Sequence, residues 1–307
     1  MTDYDLVVIG AGPAGLTAGI YAGRSRLKTL VIEMMMPGGQ AAITHLIENY
    51  PGVEPMAGSE LAGRMQEQME SFGAELTSDT VTSIRHEGGH FTIERGGGTT
   101  TARAVIVASG TGYRKLGVPG EEEFAGRGVS YCATCDGPFY RGKEVAVVGG
   151  GDSALQESLY LTGLVEKVHL IHRRDEFRAV PVLAERVRAH EKIECICSHT
   201  VERIEGSGTG VERLILAPVG EGEKRILEVP GVFLFVGLKP RTEFLGDLIE
   251  KNEWGFLAVG EDTKTKTPGL CAAGDCRDKI LRQIATAVGD GATAVHVVER
   301  FLDDGEW

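Results

Sequence analysis

Apolar residues in this chain gather in short unbroken runs, and several runs end in glycine. DLVVIG (5–10), TLVIE (29–33), ARAVIVASGT (102–111), EVAVVG (144–149) and GVFLFVG (231–237) are the clearest. Continuous apolar runs of this length predict strands buried on both faces, as in parallel sheets. The stretches between them predict helices near 14–24, 58–72 (amphipathic), 182–190 and 282–301, with another ending near 164. Short strands are expected within 73–103, at 167–175, 193–197 and 201–204, and in the run ending LCAAGD (270–275), with a hairpin around Gly220. Strands alternating with helices make this an α/β chain.

Two strand-to-helix junctions carry glycine fingerprints. GAGPAG spans Gly10, Gly12, Pro13, Ala14 and Gly15; GGGDSA spans Gly149, Gly151, Asp152, Ser153 and Ala154. In such a junction the first glycine permits the turn, the second admits a pyrophosphate, and the third position lets helix pack on strand. The helix N-terminus then offers free N–H groups to the phosphates. Glu33 follows Gly10 by 23 positions, and His172 follows Gly149 by the same 23. The chain therefore holds one supersecondary unit twice. Glu33 suits a free ribose diol, as in FAD or NAD. His172, Arg173, Arg174 and Arg178 instead put cations where a 2′-phosphate would sit, as in NADP(H).

The 307 residues are enough for two cores. Composition shifts at 113–128, rich in Gly, Pro and Glu, which reads as a first interdomain connection; LKPRT (238–242) reads as the return. The tail is too short for a domain of its own, so the second domain is an insertion. The expected division is 1–114 and 241–307 for the first domain and 115–240 for the second. With 32 basic against 44 acidic residues, net charge is −12, which argues against nucleic acid or an anionic membrane as partner. No apolar run is long enough for a bilayer, and no basic-then-apolar leader opens the sequence. A cytoplasmic enzyme is the expectation.

Between the fingerprints lies Cys132-Ala-Thr-Cys135, followed by Asp136. Outside a secreted scaffold, a CxxC at a helix start is a redox pair or half of a metal site. Zinc would need two further ligands. Cys195, Cys197, Cys271 and Cys276 are not so placed and read as core thiols.

With CATCD between two fingerprints, the sequence resembles the low-molecular-weight (bacterial-type) thioredoxin reductases over nearly its whole length. GAGPAG, GGQ (Gly38, Gly39, Gln40), Asn49, CATCD, GGGDSA, HRRDEFRA (172–179), AAGD (Gly274, Asp275) and RQI (Arg282, Gln283, Ile284) match that family in order. The resemblance implies two Rossmann-like dinucleotide-binding domains, an NADPH domain inserted into an FAD domain, in a homodimer. It puts 33–40 and 275–284 beside the flavin, Asp275 at its ribityl chain, and Arg173, Arg174 and Arg178 on the 2′-phosphate. Electrons would pass from NADPH to FAD, to Cys132–Cys135, and to thioredoxin. Cys135 would face the flavin, Cys132 would attack thioredoxin, and Asp136 would be the acid–base group. Both donor sites belong to the inserted domain, so rotation about linkers near 113–120 and 238–242 is expected. A flavin-dependent dithiol oxidase, or a reductase of another small disulfide protein, is the alternative; the basic cluster separates the oxidase. Two departures stand out: LQES, with Gln156, replaces the paired acids of VEEA, and EEE (121–123) makes the first linker unusually acidic.

Overall fold

The computed structural model describes residues 2–307. They form two compact units, residues 2–112 with Lys239–Trp307, and Tyr113–Leu238. Both boundaries fall two residues before the positions expected from composition.

Unit 1 opens with β1 (Tyr4–Ile9), α1 (Pro13–Arg24) and β2 (Thr29–Glu33), followed by α2 (Gly39–Ala42) and α3 (Gly58–Ser71). Then come β3 (Glu75–Ser78), β4 (Val81–Glu87), β5 (His90–Arg95) and β6 (Gly98–Val107). β1 pairs in parallel with β2 and β6, and β3 with β2, while β4, β5 and β6 form an antiparallel meander. The apolar run predicted a strand over 102–111; the observed strand is shifted toward the N-terminus. Its polar front, Gly98 to Thr101, is drawn in by pairing with β5. Past Val107 the chain turns, with Ala108 N donating to Ile9 O (2.8 Å). The apolar stripe of α3, including fully buried Met69, packs on α1.

The chain leaves through β7 (Thr111–Tyr113). Unit 2 contains β8 (Val129–Ser130), α4 (Ala133–Asp136), β9 (Glu144–Gly149), α5 (Asp152–Thr162), β10 (Lys167–Ile171), α6 (Pro181–Ala189) and β11 (Ile193–Ile196). β12 (His199–Ser207), β13 (Gly210–Pro218) and β14 (Arg225–Glu228) form a separate antiparallel sheet, and β15 (Val232–Phe235) returns to the main one. That sheet runs β11-β10-β9-β15-β8, wholly parallel. β16 (Leu238–Pro240) pairs with β7, so the two connections form a ribbon. β17 (Leu270–Ala272) then joins β6 in parallel, and α7 (Ile284–Asp304) closes unit 1.

The order β3-β2-β1-β6 in unit 1 repeats as β11-β10-β9-β15 in unit 2. In each, helices cover the sheet over a core of Val, Ile, Leu and Ala. The segment expected as a connection to 128 is mostly not one. Glu121, 1% exposed, accepts from Leu116 N (2.8 Å), Gly117 N (2.6 Å) and Tyr131 Oη (2.6 Å), which folds 116–128 into unit 2.

Candidate active site

The first fingerprint turns from β1 into α1. Gly10 adopts φ +102°, and a Cβ on Gly15 would lie 1.8 Å from Gly10 O, so neither tolerates a side chain. A Cβ on Gly12 would meet nothing within 4 Å, leaving open space over a helix N-terminus with no side-chain cap. Pro13 and Ala14 form the first turn. Glu33, buried at the end of β2, accepts from Ala11 N (2.7 Å) and Met35 N (3.0 Å). Its carboxylate thereby braces the glycine loop, with lone pairs left for a diol.

Gly38, the N-cap of α2, follows with Gly39 and Gln40 in its first turn, and Gly38 N donates to Ala11 O (2.6 Å). Gln40 Nε2 bonds Thr111 O (2.6 Å) and Oγ1 (2.9 Å). Asn49 Nδ2 donates to Gln283 Oε1 (3.1 Å), and Gln283 caps α7 through a capping box with Thr286, so that helix begins at Ile284. Arg282 donates to Asp275 O (3.2 Å) and Arg277 O (3.0 Å), and its guanidinium lies 4.0 Å from the centre of the Phe256 ring. These polar side chains build the loop walls rather than pointing freely outward.

Asp275 differs. Its Oδ1 is buried without a partner, and burial raises its pKa despite Lys279 and Arg282 nearby. An orphaned buried acceptor is costly unless a ligand hydroxyl meets it. Together with the open cradle at Gly12 and the acid at Glu33, it fits FAD. Sequence reasoning missed Asp290 on α7, which accepts from Arg277, Lys279 and Gly274 N. Its flanking glycines in VGDGA were the available signal.

In unit 2, Gly151 begins α5 with open space above it, and Ala154 is 1% exposed against β9. Asp152 flanks exposed Ser153, and its Oδ1 accepts from Val180 N (2.8 Å). Arg178 N donates to Gly150 O (2.7 Å). These two bonds hold 172–180 as a loop beside the fingerprint, so the strand expected over 167–175 ends at Ile171. Arg173, Arg174 and Arg178 are exposed, fitting a 2′-phosphate. His172 is not one of the free cations. It is buried, its Nε2 donates to Glu176 O (3.1 Å), and a Cβ on Gly150 would lie 2.2 Å from its ring. Burial holds its pKa below the usual histidine value, so it is a neutral spacer under the glycine loop.

Cys132 and Cys135 are joined as a disulfide at the start of α4. Cys132 is the N-cap, and its Sγ accepts from Cys135 N (3.1 Å). Ser130 Oγ accepts from Cys132 N (3.1 Å), fixing the approach. Cys135 is exposed and Cys132 half-buried. Asp136 follows on the same turn, half-buried. Of the remaining cysteines, Cys271 and Cys276 are core thiols pushed up to about 12 and about 11 by burial. Cys195 and Cys197 are only half-buried, because β11 lies at the sheet edge.

A family profile described as pyridine nucleotide-disulphide oxidoreductase matches residues 4–291. The thioredoxin reductase of Treponema pallidum (strain Nichols) is 46% identical over 303 residues, 98% of each chain. That of Bacillus subtilis (strain 168) is 43% identical over 301 residues, 98% of this chain and 95% of the relative. The crystal structure of Lactococcus lactis thioredoxin reductase matches with a TM-score of 0.96 at 43% identity, over 98% of this chain and 99% of that one.

Proposed function

The chain belongs to the pyridine nucleotide-disulphide oxidoreductase family, and from that premise we propose that it is a thioredoxin-disulfide reductase using NADPH and FAD. The carrying observation is the Cys132–Cys135 disulfide, set between a fingerprint ending in an acid and one ending in arginines. The dithiol oxidase alternative gains no support, since full-length relatives are thioredoxin reductases.

In this reading Gly10 to Gly15, Glu33, Gly38 to Gln40, Asn49, Gly274, Asp275 and Arg282 to Ile284 shape the FAD site. Gly149 to Ala154 with Arg173, Arg174 and Arg178 hold NADPH. When bound, FAD supplies the carrier that takes a hydride from NADPH and passes the electron pair to the disulfide. In the disulfide, Cys132 Sγ already accepts the N–H of Cys135 at a helix start, and the same donor would favour its thiolate once the bond is reduced. Its Sγ attacks a thioredoxin sulfur, and the S–S bond of thioredoxin breaks to give a mixed disulfide. Cys135 then attacks Cys132, the mixed disulfide breaks, and thioredoxin leaves as a dithiol. Asp136 serves as the group that exchanges protons with the departing and attacking sulfurs. Asn49 and Gln283 act through each other and the α7 cap, and His172 and Asp152 act by shaping the loop. The protein works as a cytoplasmic homodimer in this reading; no described helix is long and apolar enough to cross a membrane.

The test is anaerobic mixing with NADPH and, separately, NADH, following flavin absorbance. NADPH should bleach it rapidly, NADH slowly, and oxidised thioredoxin should restore the colour. Absence of bleaching by either nucleotide would remove the reductase assignment.

A further inference from the structure

We propose that Asp290 is a positioning residue for the flavin: it holds the Asp275 segment in register with the first glycine loop. The proposal rests on reading unit 1 as the FAD site. Asp290 does so from a fixed base, because its neighbour Gly291 lies where α7 meets α1. A Cβ on Gly291 would fall 2.2 Å from Ala14 O, so the two helices touch at the first turn of the fingerprint.

From that base one carboxylate gathers three donors of the loop after β17. Oδ1 accepts from Arg277 Nη1 (2.6 Å); Oδ2 accepts from Lys279 Nζ (2.7 Å) and Gly274 N (2.9 Å). The three side chains are 7%, 12% and 15% exposed for Arg277, Lys279 and Asp290, so solvent screens little of this. Arg277 Nη2 also donates to Gly260 O (2.6 Å). Within the span so clamped sits Asp275, whose Oδ1 is buried and unpartnered. Gly274 itself takes φ +78°, and a Cβ on it would lie 2.9 Å from Ala14 Cβ. The acid that faces a ligand hydroxyl is thus aimed by a second acid on another element. Removing that second acid strands two buried cations and frees the Gly274 amide, so the segment must relax away from the fingerprint.

The experiment titrates FAD into flavin-stripped protein, read by quenching of flavin fluorescence, for wild type, D290N and K279M. D290N should bind FAD at least about tenfold more weakly and K279M about threefold more weakly. Saturating FAD should restore kcat to near the wild-type value, and the flavin-free protein should melt within a few degrees of wild type. Wild-type affinity in D290N overturns the proposal. So does a fall in the melting temperature of the flavin-free protein with no recovery of kcat, which would make Asp290 a staple of the fold. Should D290N fail to fold, K279M decides by the same affinity. A wild-type apoprotein that takes up no FAD would instead defeat the reading of unit 1 itself.

Discussion

Glu157 shows how much a single side chain can hide from the sequence. In LQES the departure from the family pattern draws attention to Gln156, and nothing in the local pattern sets Glu157 apart. Yet Glu157 Oε2 is buried without a partner, and burial pushes its pKa up to about 7. An acid whose folded pKa is raised is destabilising when ionised: the penalty is absent below its unfolded pKa and grows as pH rises toward the folded one. E157Q removes the charge while keeping the shape. It should therefore leave the melting point nearly unchanged near pH 4, below the unfolded carboxyl value, and raise it at pH 8, the gain amounting to about 1–3 kcal/mol. Thermal melts of both proteins at the two pH values decide this, and an equal difference at both would refute it. Glu121 was unreadable for the same reason. An acidic run between domains implies solvent, but three donors 116–131 in sequence turn its first acid into a buried clasp. Burial of a charge depends on partners brought from elsewhere, which no local pattern records. By contrast Gly10, Gly15 and Cys132–Cys135 were legible, because their requirements are local: a turn, a close approach, a ring closed between cysteines three positions apart.

The loop 172–180 was legible in charge but not in conformation. HRRDEFRA announced a cationic cluster, and its first four residues read as the end of a strand over 167–175. What redirects the chain is non-local: Asp152 and Gly150, both in the fingerprint, bind Val180 N and Arg178 N. His172 fills the space under Gly150, and Arg188 lies 5.3 Å from the Phe177 ring centre while pairing with Glu176 (3.0 Å). The element is a prefabricated loop whose three arginines stay exposed. Each arginine–phosphate contact is worth roughly 1.5–3 kcal/mol. R173A and R174A should therefore each raise the KM for NADPH by about tenfold or more while leaving that for NADH within about twofold. Steady-state kinetics with both nucleotides test it; equal losses with NADH would mean the arginines support the fold of the loop rather than selecting the phosphate.

At the scale of the whole chain, duplication was the most legible feature and the linkers the least. The 23-position spacing of both fingerprints matches the repeated strand order, because a βαβ unit fixes its own length. The parallel sheet of unit 2 adds a consequence for function. Ser130 ends β8 and leads to Cys132, Gly149 ends β9 and leads to the phosphate loop, and β15 lies between them. Because β8, β15 and β9 are parallel, disulfide and nucleotide loop emerge from the same edge, two strand spacings or about 10 Å apart. On the proposed reading, two donors on one edge of one unit would serve a single flavin held by the other in turn, and the two connections at 112–113 and 238–239 would carry the motion. Shortening each connection by one residue should restrict the swing without touching either nucleotide site. The flavin should stay bound and coloured. Stopped-flow mixing should show one of the two steps, bleaching by NADPH or recolouring by thioredoxin, surviving while the other slows, and steady-state turnover should fall at least about tenfold. Full turnover in the shortened protein would mean that both donors reach the flavin without rotation, since a rigid arrangement loses nothing when its connections tighten.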